Sequence, residues 1–105
     1  IVLNDSRTQS VWACDEGALS PGKTHKVTII VDGGPRVISF VIDGKFNDGG
    51  DTRQFGWGRF NPFLQSVAGA EDLTIGGKLN GKINYVRIYN RAILISEAIG
   101  NHRAH

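Results

Sequence analysis

The chain has 105 residues, of which 40% are hydrophobic and 14 are glycine, and this length and composition are typical of one globular β domain. The net charge is +2, and its 12 basic residues are spread along the chain, whereas a nucleic-acid-binding surface needs them clustered on one face. The longest apolar runs, at 27–31 and 38–42, are far shorter than the ~20 residues of a membrane-spanning helix.

The N-terminal part predicts two strands separated by a turn. Residues 8–13 predict the first strand, and residues 15–22 contain the glycines and proline of a turn. Residues 27–31, VTIIV, are apolar on both faces. We therefore expect a central strand there, with neighbours on both sides.

Two hairpins are predicted next. The sequence DGGP at 32–35 ends the previous strand, so residues 36–42 are expected to return antiparallel to it. Asp43-Gly44 predicts a two-residue hairpin turn, because this turn requires positive φ at both central positions. A short strand is expected at 45–46.

Residues 47–72 lack strand periodicity but contain Phe55, Trp57, Phe60 and Phe63. Loops of this length are usually functional or disordered, and so many aromatic residues argue against a disordered linker. We expect this loop to pack against the sheet and to determine ligand specificity.

The C-terminal part predicts strands at 73–75 and 82–89. Ile83 is out of phase with Val86 and Ile88, so a β-bulge near Asn84 and Tyr85 is expected to restore the alternation. A brief terminal helix is expected after these strands. Ser96 is its predicted N-cap, Glu97 favours its first turn, and Gly100 is expected to end it.

Two segments carry a family resemblance. THKVTIIVDGG followed by VISFVIDGK resembles the central strand pair of laminin-G-like domains of the concanavalin jelly-roll type, and LTIGGKLNGKINYVRIYNRAI at 73–93 resembles their closing motif. The resemblance implies an all-β antiparallel sandwich with a short C-terminal helix. Complete domains have roughly twice as many strands, so we expect residues 1–105 to be the C-terminal portion of one domain, with a processed or trimmed start.

Catalysis by this chain alone is not expected. Glycoside hydrolases of this fold place acidic residues at alternating positions of one strand, so that an acid and a nucleophile flank the scissile bond. Most acidic residues here lie at turns instead, and His25, His102, His105 and Cys14 lack zinc-ligand spacing. Cys14 is either a buried free thiol that behaves as a small hydrophobic residue or is paired with a cysteine elsewhere.

The sequence predicts no cofactor for this chain. The resemblance implies a structural calcium in many complete domains, where an acidic residue commonly follows the Ile of the closing motif. Here that position is Asn84, which offers a carbonyl oxygen without the charge that favours a hard cation. A structural calcium is therefore expected only in a complete domain.

The candidate site lies in the loop. Sugars are bound by planar polar side chains and by aromatic faces, and arginine can also hold a carboxylate through its fork of donors. This loop supplies both kinds of group; the predicted carbohydrate-binding residues are Asp51, Arg53, Gln54, Trp57 and Arg59. The alternative is structural, with the aromatic residues closing the sandwich edge and the arginines paired with Asp48 and Asp51.

The resemblance implies a noncatalytic, lectin-like segment of a larger secreted glycan-active protein. The alternatives are a fragment of a glycoside hydrolase or sialidase whose catalytic residues lie on another chain, or a protein-binding adhesion module. A glycan is the expected ligand. We also expect a second polypeptide or self-association, because half a sandwich leaves Val27, Ile29 and Val31 open to water.

Overall fold

The computed structural model describes residues 1–15, 17–47, 61–65, 67, 73–77 and 79–104. Its strands form two antiparallel sheets, and one helix lies near the C-terminus. The first sheet pairs β1 (Val2–Asn4) with β2 (Gln9–Val11), so the predicted strand at 8–13 is present but shorter. Asp5 stabilises the β1–β2 connection because its Oδ1 accepts the N–H groups of Arg7 and Thr8.

The second sheet has the order β3 (Val27–Asp32), β4 (Val37–Ile42), β5 (Lys45–Asn47). β3 and β4 are antiparallel, which confirms the first predicted hairpin. Asp43 and Gly44 have φ of 51° and 79°, which confirms the predicted two-residue turn between β4 and β5.

The core lies on both faces of β4. On one face, Ile38, Phe40 and Ile42 pack with Trp12 and Leu64. On the other face, two buried sheet residues pack with two residues of the C-terminal segment; these four are Ile30, Val41, Ile93 and Ala98. β4, rather than β3, is therefore the strand with apolar contacts on both sides.

The expectation that β3 is central is wrong for the residues that the structure describes. β3 pairs with β4 alone and lies at the edge of the sheet. Val27, Ile29 and Val31 are 44%, 47% and 37% exposed. Apolar residues on both faces predict burial only when a further strand covers the open edge, and none of the described strands does so.

The strands predicted at 73–75 and 82–89 are not formed. Residues 82–89 run without strand pairing, turn or bend, and Ile83, Val86 and Ile88 are 45%, 52% and 70% exposed. The predicted bulge near Asn84 and Tyr85 has no ladder to interrupt. A strand needs a neighbour for its backbone groups, and the described residues provide none beside this segment.

The helix α1 (Ile95–Arg103) begins earlier and ends later than predicted. Leu94, not Ser96, is its N-cap, and the Leu94 N–H donates to Glu97 Oε1 at 3.1 Å. Gly100 lies inside the helix and does not end it. Within the described ranges, no helix is long and apolar enough to cross a membrane.

Candidate functional site

The predicted binding residues Asp51, Arg53, Gln54, Trp57 and Arg59 all lie outside the described residues. Their positions on the chain are bounded by Asn47, the last residue of β5, and by Asn61, where the described chain resumes. The structure describes the two ends of the loop at 48–60, which we call the binding loop after the role that the sequence predicts for it.

Both ends of the binding loop are hydrogen-bonded to the same short stretch of chain. Asn47 Oδ1 accepts the Asp15 N–H at 2.5 Å, and the Asn61 N–H donates to Ser10 Oγ at 3.2 Å. Ser10 is only 2% exposed, so its hydroxyl is held in a fixed position. Residues 10–15 thus hold both ends of the loop, which lie 32 and 51 residues further along the chain from their partners.

The chain that leaves the binding loop is also held firmly. Asn61 accepts two N–H groups, that of Phe63 at its Oδ1 and that of Leu64 at its carbonyl, which makes a tight turn. Leu64 is buried with Trp12, and its carbonyl accepts Arg36 Nη1 at 2.6 Å. These contacts fix the direction in which the chain departs from the loop.

Two buried polar atoms lie on the stretch that anchors the loop. Trp12 Nε1 and Asp15 Oδ1 have no hydrogen-bond partner among the described residues, and Trp12 is 1% exposed. A buried polar group without a partner costs about 1 to 3 kcal/mol. Cys14, which lies between them in the sequence, is a half-buried free thiol packed against the same core.

A second polar cluster surrounds His25. Its Nδ1 lies 2.6 Å from Asp43 Oδ2, and its Nε2 accepts the Ser20 N–H at 2.9 Å. The hydrogen bond with Asp43 raises the pKa of His25, and the same bond, with the Lys26 N–H, lowers the pKa of Asp43. Asp43 and the backbone of Ser20 engage both ring nitrogens, so this histidine joins the 20–25 turn to the β4–β5 turn.

Apart from Asp15, the remaining acidic side chains in the described ranges also hold the backbone or a cation. Asp5 Oδ2 accepts the Gln65 N–H, Asp32 accepts the Gly34 N–H, and Glu97 pairs with Arg91. None of the described residues forms a group of three or more metal-ligating side chains. The described part of the chain therefore contains neither a pair of carboxylates free for hydrolysis nor a cation site.

The sequence reasoning missed the anchors of the binding loop. Ser10 is the middle residue of β2, Asn47 ends β5, and Asp15 and Asn61 lie outside the strands. Polar residues at such scattered positions offer no distinctive pattern. The His25–Asp43 pair had a usable signal, because Asp43 directly follows the residue that pairs with Val27, and His25 lies two residues before Val27. A histidine before one strand and an aspartate after its antiparallel partner are neighbours in space.

No protein-family model, no curated protein and no solved structure matches this chain.

Proposed function

We propose that this chain is a noncatalytic carbohydrate-binding segment of a larger secreted glycan-active protein, with residues 48–60 as its binding loop. The observation that carries the proposal is the attachment of both loop ends to residues 10–15 through Asn47 and Asn61. A loop with fixed ends loses less conformational entropy when it binds, so it is suited to hold a ligand.

The composition of the binding loop supplies the chemistry. Trp57 offers an aromatic face for the apolar side of a sugar ring, and Asp51 and Gln54 offer acceptors and donors for hydroxyl pairs. Arg53 and Arg59 would bind a carboxylate through parallel N–H bonds, which favours a glycan that contains uronic or sialic acid.

The proposal includes a jelly-roll sandwich of the laminin-G-like type. Its support is the packing of Trp12, which follows β2, against Ile38 and Phe40 of β4, because apolar contact between two antiparallel sheets is how sandwich layers pack. A full sandwich would require further strands beside those described here.

Glycan-array binding tests this proposal. Trp57→Ala and Arg59→Ala should each abolish binding of the glycans retained by the unmodified protein, while circular dichroism stays unchanged. Arg103→Ala, which removes an exposed arginine at the end of α1, is the matched control and should bind normally. Binding unchanged in both loop variants would refute the loop as the site.

A second candidate, a protein-binding adhesion module, is favoured by the exposed apolar residues. Several large apolar side chains are more than half exposed outside the sheet, including Phe63, Leu79, Tyr85 and Ile88. Aromatic side chains such as Phe63 and Tyr85 are enriched in protein interfaces. If the folded protein bound no sugar on a glycan array, that result would favour this candidate over the first.

A further inference from the structure

Among the described residues, no strand pairs with the outer edge of β3, and every second residue along that edge is apolar. Val27, Ile29 and Val31 pair with Ile42, Phe40 and Ile38 respectively across the β3–β4 ladder, so all six side chains share one face. The β4 members are 1% to 4% exposed, whereas the β3 members are 37% to 47% exposed. The β3 side chains are more exposed because β3 lies at the edge of the sheet, where it has no described neighbour.

The backbone groups of the same three residues also face this open edge. The Lys26 carbonyl accepts the Asp43 N–H from the side of β4. In an antiparallel sheet, each residue directs its N–H and its C=O to the same side of the strand, and consecutive residues alternate between the two sides. Val27, Ile29 and Val31 therefore direct their N–H and C=O groups away from β4, to a side where no described strand pairs with them.

β3 is self-complementary around Ile29. If a second β3 lies antiparallel with Ile29 opposite Ile29, then Val27 lies opposite Val31 and Lys26 lies opposite Asp32. This register joins the free backbone groups in hydrogen-bonded pairs and places opposite charges together at both ends. Lys26 Nζ also donates to the Asn101 carbonyl at 3.1 Å, and Asp32 accepts the Gly34 N–H, so both charged groups are already held near the strand ends.

We infer that two copies of this chain associate edge to edge through β3, on a two-fold axis at Ile29. The contact joins the two three-stranded sheets into one continuous sheet. The same surface meets itself, as a closed two-fold interface requires. Between Lys26 and Asp32 the edge carries no charge and no proline, the usual devices that keep an exposed edge from pairing.

The first experiment measures the oligomeric state of the unmodified chain by analytical ultracentrifugation between about 1 and about 100 µM, where a dimer of micromolar affinity would be seen. A concentration-dependent dimer is expected. Ile29→Lys should give a monomer, because it places like charges directly opposite each other on the axis. Val2→Lys, at a residue of β1 that is 58% exposed and lies outside β3, is the matched control and should remain a dimer.

A charge exchange tests the register and does not depend on the stability of any single variant. Lys26→Asp and Asp32→Lys each place like charges opposite each other, and each should weaken the dimer by about tenfold. The double variant restores the attraction and should dimerise like the unmodified chain. An unmodified chain that stays monomeric overturns the inference, and so does a dimer that is indifferent to Ile29→Lys or whose double variant is no better than the singles.

Discussion

The sheet β3–β4–β5 and residues 82–89 are similar in composition but differ in structure. Both are rich in β-branched and aromatic residues. In β4, Ile38 and Val41 are 1% and 2% exposed, whereas in the second region Tyr85 and Ile88 are 61% and 70% exposed and form no strand. The difference shows that strand propensity is realised only where a second strand and an apolar layer are at hand.

The two regions differ in their local contacts. β4 receives a neighbour on each side through two tight turns, Trp12 on one face and α1 on the other. Residues 82–89 follow a glycine-rich stretch and have no antiparallel partner among the described residues. Substitutions in the two regions should therefore have unequal effects on stability.

The largest effect is expected in the core. Ile38→Ala should lower the free energy of unfolding by about 2 to 5 kcal/mol, because it leaves a cavity beneath Trp12. Ile88→Ala, the matched control in the exposed segment, should change it by less than about 0.5 kcal/mol. Urea unfolding followed by tryptophan fluorescence measures both. A large loss for Ile88→Ala would show that residues 82–89 are packed in solution.

The next effect concerns the turn that joins β4 to β5. Gly44 has φ of +79°, and an added Cβ would lie 2.6 Å from His102 Cδ2. Gly44→Ala should therefore cost about 1 to 2 kcal/mol from the left-handed backbone, and more if His102 cannot move. Gly17→Ala has a similar φ of +76° with nothing nearby and separates backbone strain from the clash.

Thermal unfolding is measured for Gly17→Ala, for Gly44→Ala and for the double variant Gly44→Ala/His102→Ala. The three results separate the cost of backbone strain from the cost of the clash with His102. If the clash contributes, removing the imidazole should recover part of the loss at Gly44. Equal losses at Gly17 and Gly44, with no recovery, would show that His102 moves aside freely.

Much of the fold could be predicted where the signal is local. The turn at Asp43-Gly44 needs only two residues with tolerated positive φ, and the alternation in 36–42 places Ile38 and Phe40 on one face. The edge position of β3 could not be predicted in the same way, because it depends on the neighbour that a strand lacks. Residues 82–89 have the pattern of a strand, and pattern alone does not supply a partner.

For the candidate site, the sequence predicts the residue types that would bind a ligand, but it does not predict how the ends of the loop are attached. The residue types of the loop at 48–60 indicate sugar binding, and those residues lie outside the described structure. Its anchors join Ser10 to Asn61 and Asp15 to Asn47, separations of 51 and 32 residues. Contacts between such distant polar residues leave no periodic trace in the sequence.

The His25–Asp43 pair predicts a pH dependence of stability. The pKa of His25 is raised, so its contribution is complete below its ordinary value of 6.5 and is lost as pH rises through the higher folded value. The pKa of Asp43 is lowered, so its contribution is present above 3.8 and is lost as pH falls through the lower folded value. The pair should therefore stabilise most between these ordinary values.

Urea unfolding midpoints from pH 4 to pH 8 test this for the unmodified chain and for Asp43→Asn. Asparagine tolerates the positive φ of this position, so the variant removes the charge and keeps the turn. The decline in stability above pH 6.5 should become shallower in the variant. Parallel profiles for the two proteins would mean that the pair contributes nothing to the dependence.

The smallest effect on structure is expected where residues 82–89 lead into α1. Arg91 donates to both carboxylate oxygens of Glu97, at 3.1 and 2.8 Å, and lowers the pKa of Glu97 to about 2. Glu97 thus contributes to stability above its ordinary pKa of 4.5, and this contribution is lost as the pH falls through about 2.

Glu97→Gln should reduce helical circular dichroism slightly at pH 7, because it removes the ion pair and the negative charge from the first turn of α1. Arg91→Ala removes the ion pair alone and should have the smaller effect, since Glu97 can still accept the Leu94 N–H. If Arg91→Ala were the more harmful of the two, Arg91 would matter for the chain before the helix, and residues 82–89 would be more ordered than their exposure indicates.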